Sequence, residues 1–128
     1  MPLPAGYGVP IRTPELLPLE SRSAGTYTAD LVTTPSQFNV SDVELWVYVS
    51  AVSGSPVLNC WLENSSDEVT WTAVVGSGIA VLSGVGNALS NAAVSASDYL
   101  RVTSTVGGVS APRMTYRVVA LLNCSNDN

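Results

Sequence analysis

Three aromatic residues and two carboxylates stand where a β-protein could put them to use. Trp46, Tyr48 and Trp61 fall on two strand-like segments that are neighbours in sequence. Their rings could form a platform on which sugar faces stack, as they do in carbohydrate-binding modules or adhesins. The same residue types are enriched in protein interfaces and sandwich cores, and packing is the favoured reading. Glu44 and Glu63 could face each other as the carboxylate pair of a glycosidase. Two solvated carboxylates on an outer sheet face are the simpler account. Asn64, Asp67 and Glu68 gather oxygens of the kind calcium takes. The run lacks the alternating acidic spacing and the glycine of a dedicated calcium loop, so a turn held by Asn and Ser side chains is preferred.

Other chemistry is excluded by absence. The 128 residues contain no histidine and no lysine. A Ser-His-Asp or Cys-His arrangement is therefore impossible, as are the usual transition-metal site, a Schiff base and a P-loop. The expectation is a protein with no catalytic residues, no metal and no cofactor. Net charge is −5, and the five arginines (Arg12, Arg22, Arg101, Arg113, Arg117) are scattered. So few cations cannot build the basic stripe that nucleic acid requires.

No apolar run reaches the length of a membrane span, and Met1 leads into Pro-Leu-Pro-Ala-Gly, so synthesis in the cytosol without a membrane partner is expected. That compartment favours free thiols at Cys60 and Cys124 over a disulfide. Asn39, Asn64 and Asn123 match the short glycosylation pattern, which a Ser- and Asn-rich chain produces by chance.

The elements that position these groups are strands. Val43, Leu45, Val47, Val49 and Ala51 alternate with Glu44, Trp46, Tyr48 and Ser50, one aliphatic face against one aromatic-polar face. Residues 57–63 repeat the alternation, with Leu58, Cys60 and Leu62 on one side. Ser53-Gly54-Ser55-Pro56 between them reads as a hairpin turn. Residues 26–33, 69–75, 79–82 and 88–94 give further strands. Residues 99–106 and 114–122 read as a second hairpin across Gly107-Gly108-Val109-Ser110-Ala111-Pro112.

The pattern predicts an all-β, antiparallel β-sandwich of about seven or eight strands, of jelly-roll or immunoglobulin-like kind. Val119 and Leu121 make the last strand apolar on both faces, which marks them as interface or arm-covered positions.

Residues 1–23 differ from the rest. Pro2, Pro4, Pro10, Pro14 and Pro18 forbid a helix and a central strand, while the apolar content exceeds that of a solvated linker. They form an extended N-terminal arm before a domain at 24–123 and a short tail at 124–128. Leu3, Tyr7, Ile11, Leu16, Leu17 and Leu19 are its expected docking residues on a neighbouring subunit. Few charges and 46% apolar residues point the same way, toward assembly.

The string Leu-Asn-Cys-Trp-Leu-Glu-Asn-Ser-Ser-Asp-Glu-Val-Thr-Trp (58–71), followed by Tyr-Leu-Arg-Val-Thr-Ser-Thr-Val-Gly-Gly (99–108) and Met-Thr-Tyr-Arg-Val-Val-Ala-Leu-Leu (114–122), resembles small β-sandwich virion proteins of tailed bacteriophages. The resemblance covers the C-terminal half and leaves the arm unmatched. It implies a capsid decoration (cement) subunit made in the host cytoplasm and seated on the outer capsid surface. A homotrimer would contact the major capsid protein, the arm bridging capsomers. A phage tail or neck component is the alternative in the same virion, and a carbohydrate-binding or adhesin module the alternative from another class.

Overall fold

The computed structural model describes residues 9–12, 16–32, 40–94 and 99–124. The strands are β1 (Val9–Arg12), β2 (Leu17–Ser23), β3 (Gly25–Val32), β4 (Val40–Ser65), β5 (Thr72–Ala73), β6 (Ile79–Leu82), β7 (Gly86–Ala93) and β8 (Tyr99–Cys124). Among the described residues there is no helix. β4 and β8 each run 26 residues, far beyond the usual strand length. They pair with each other antiparallel along their whole course, from Val40 opposite Cys124 to Ser65 opposite Tyr99. β7, β6 and β5 lie along the free edge of β4, and β1, β2 and β3 along that of β8.

This corrects the predicted β-sandwich. All eight strands hydrogen-bond into one antiparallel sheet; it neither closes into a barrel nor divides into two separate sheets. The error arose at the glycines and prolines. Ser53-Gly54-Ser55-Pro56 and Gly107 to Pro112 carry turn chemistry, yet no hairpin forms at either place. Both segments stay on the β4–β8 ladder, with Ser53 opposite Arg113, Ser55 opposite Val109 and Pro56 opposite Gly108. The left-handed backbone at Gly54 (φ 72°), Ser110 (φ 65°) and Ala111 (φ 54°) bends the ribbon instead of reversing it. The same residue types serve a turn within a sheet and a corner across one.

The corner creates the core. A straight sheet would leave one apolar face without cover, and bending doubles that face on itself. The inward residues of the first half-sheet are Val43, Leu45, Val47 and Val49 of β4 with Met114, Tyr116, Val118 and Ala120 of β8. They join Leu58, Cys60, Leu62, Leu100, Val102 and Val106 of the second half-sheet in one buried cluster. The aliphatic face predicted for residues 43–49 is therefore the core face. Inward positions on β4 are odd before the corner and even after it. Bulges between Val49 and Ala51 and between Ser53 and Ser55 make the switch, without which the second half would present its polar face inward.

The described strands of the N-terminal segment join this sheet. β1 and β2 pair with the 113–124 half of β8, and Pro10 and Pro18 fall on these edge strands, where a missing donor costs least. Arg22 fastens the segment, though only 4% of it is exposed. Its Nη1 donates to the Tyr116 carbonyl at 2.7 Å and its Nη2 to the Pro18 carbonyl at 2.7 Å. The guanidinium lies 4.6 Å from the Tyr116 ring centroid, and its Nη2 lies 3.4 Å from Glu20 Oε1, so carbonyl dipoles, a ring face and a carboxylate together compensate the buried charge.

Candidate functional site

Opposite the core, the first half-sheet carries the aromatic-polar face of β4 outward. Register places its residues in three cross-strand rows. The middle row is Leu89 of β7, Trp46 of β4 and Val119 of β8; one flanking row is Asn91, Glu44 and Leu121, continued in register by Arg12 of β1; the other is Asn87, Tyr48 and Arg117. Alternation along each strand makes the arrangement necessary, because burying Leu45 and Val47 turns Glu44, Trp46 and Tyr48 to the other side.

Large apolar side chains remain uncovered here. Leu89 is 54% exposed, Trp46 43% and Tyr48 40%, while Val119 and Leu121 are half-buried among them. A shallow depression of about 400 Å³ opens over Trp46, Tyr48, Asn87, Arg117 and Val119. The Arg117 guanidinium sits 5.6 Å from the centroid of the Tyr48 ring. Glu44 and Arg117 stand in opposite flanking rows, and neither forms an ion pair among the described residues.

Trp61 is not part of this face. It lies beyond the corner on the second half-sheet, opposite Thr103, where its Nε1 donates to Glu63 Oε2 at 3.1 Å. Glu63 Oε1 accepts from Arg101 Nε at 2.7 Å and from Thr103 Oγ1 at 2.8 Å. Arg101 in turn stacks 4.3 Å from the centroid of the Trp71 ring. Partial burial pushes the Glu63 carboxyl up, but the bonds from Thr103, Arg101 and Trp61 and the Arg101 charge outweigh it, and the carboxyl is held below its ordinary value. Glu44 and Glu63 thus face outward from different half-sheets.

In the 64–68 loop, Ser65 Oγ and Asp67 Oδ1 serve the turn. Asp67 Oδ1 accepts from the Val69 and Thr70 amides at 2.9 and 3.0 Å and from Ser65 Oγ at 2.9 Å. Backbone bonds from Thr70 and Val69 hold the Asp67 carboxyl below the usual range. Among the described residues no group of three or more His, Cys, Asp or Glu is placed to hold a metal ion. Cys60 is a free thiol in the core, and burial pushes its pKa up to about 12.

The predicted docking residues of the arm separate. Leu3 and Tyr7 lie outside the described residues, as do Asn39 and the tail at 125–128. Ile11 stands on β1 opposite Leu122. Leu16 is half-buried and its amide donates to the Val118 carbonyl at 3.0 Å; Leu17 belongs to this chain's own core, and Leu19 is exposed. Leu89, Asn87 and Arg117 were missed as members of the face. Only strand register brings them beside Trp46, and register was legible nowhere in the local pattern.

No family model matches the chain, and no curated protein matches it. Among solved structures it is similar to one described as a Bacillus endospore appendage from a family of disulfide-linked pili. Identity is 15%, coverage is 98% of this chain and 96% of that one, and the TM-score is 0.45.

Proposed function

We propose that this chain is a non-catalytic structural subunit of a multi-chain assembly, a virion tail or neck component, that packs on other protein through the outer face around Trp46. The observation that carries this reading is the continuous apolar row Leu89, Trp46, Val119, left open on the surface and rimmed by Asn87, Asn91, Glu44 and Arg117. An aromatic centre with a polar rim has the composition of a protein interface.

The arm argues for a tail or neck component over a capsid decoration subunit. Clamping of capsomers through residues 9–12 and 17–23 would need β1 and β2 to leave β8 and Leu17 to leave the core, against the bonds of Arg22. Face-to-face packing requires no such rearrangement. Particles assembled with tagged chain test the reading. A Trp46→Ser variant that melts like the parent should be left out of them, and incorporation at the parental level would overturn it.

A second reading, a carbohydrate-binding module, draws on the depression where Trp46, Tyr48, Asn87 and Arg117 meet. It would use two of the three aromatic residues, without Trp61.

A further inference from the structure

We infer that the occupant of the Trp46 face is a second copy of this chain, docked about a two-fold axis that runs along the Leu89–Trp46–Val119 row. The inference rests on the assembly reading above and names its partner. A two-fold contact presents the same patch from both sides, so the patch must complement itself. Rotation about the middle row lays Leu89, Trp46 and Val119 on their own counterparts and lays each flanking row over the opposite one. Glu44 then sits over Tyr48 of the other copy, one strand spacing from Arg117, within reach of that long side chain.

The axis follows from charge. Rotation about the strand direction instead would set Glu44 over its own counterpart, a like-charge contact. Rotation along the row forms the Glu44–Arg117 pair twice. Each copy carries a net charge of −5, so association must overcome a general repulsion, and paired opposite charges at the contact do so while fixing its orientation. Trp46 against Trp46 at the centre supplies the apolar anchor. The closed contact is a dimer, in place of the homotrimer implied by the virion resemblance.

The test is sedimentation of the full chain as parent, Glu44→Arg, Arg117→Glu and an equimolar mixture of the two variants. Each variant alone should associate at least roughly tenfold more weakly than the parent, because like charges meet. The mixture should recover parental association: in the mixed pair the introduced arginine meets the introduced glutamate, and the native Arg117 meets the native Glu44. Melting curves of both variants should match the parent at concentrations where all are monomeric.

An associating parent whose variants are unchanged, or whose mixture stays weak, overturns the two-fold geometry. A parent that stays at 13.3 kDa overturns the second copy. The assembly reading then survives only if Trp46→Ser is excluded from particles, and falls with it if that variant is incorporated or if the monomer binds an acidic oligosaccharide saturably at Trp46.

Discussion

Ser104 and Tyr116 lie twelve residues apart on one strand, yet the Ser104 hydroxyl and the Tyr116 hydroxyl are hydrogen-bonded at 2.8 Å. A straight strand would separate them by about 40 Å. The bond spans the interior of the doubled sheet and ties its two halves behind the corner. Burial raises the Tyr116 pKa, while the Ser104 bond and the Arg22 charge oppose the rise.

Tyr116→Phe should therefore cost about 1–2 kcal/mol, since it leaves a buried hydroxyl short of a partner. Ser104→Ala should cost a similar amount, and the double variant less than their sum. Urea unfolding of the four proteins checks this; full additivity would mean that the bond contributes nothing.

The corner depends on Gly54. A Cβ there would collide with the Ser110 carbonyl oxygen, and its φ of 72° is already unfavourable for other residues. Gly54→Ala should destabilise by about 3 kcal/mol or more, the sum of left-handed strain and overpacking. Thermal unfolding measures it.

Arg22→Met removes the donors that hold Pro18 and Tyr116 carbonyls. A loss of about 3 kcal/mol is expected, with faster hydrogen exchange concentrated in β2 and in its partner positions on β8. Uniform acceleration across the sheet would instead assign Arg22 a general packing role.

Glu63 predicts a pH dependence. Its folded carboxyl titrates below the ordinary 4.5, so its contribution is fully present above about pH 4.5 and fades as pH falls through the folded value. The stability difference between the parent and Glu63→Gln should be constant near neutrality and shrink on acidification. A difference that grows in acid would reverse the assigned direction.

Much of the fold was legible in period two. Val43, Leu45, Val47 and Val49 were read as one aliphatic face because alternation alone dictates it, and that face is the core face. Gly54 and the 107–112 segment misled, because left-handed residues signal a change of direction and not whether the chain turns within a sheet or across it. The candidate site was half legible: Trp46, Tyr48, Val119 and Leu121 were singled out, but for two different roles. Their union, and the departure of Trp61, depend on the pairing of β4 with β8 over their full length, a non-local relationship that no window of sequence contains.

At the centre stands the proposed cover of the Trp46 face by a second copy of this chain. Its most direct test is the mass of the parent and of Trp46→Ser in solution across a concentration series. The mass of the parent should rise with concentration beyond 13.3 kDa, and the folded variant should stay monomeric. Equal masses for the two at every concentration would contradict it.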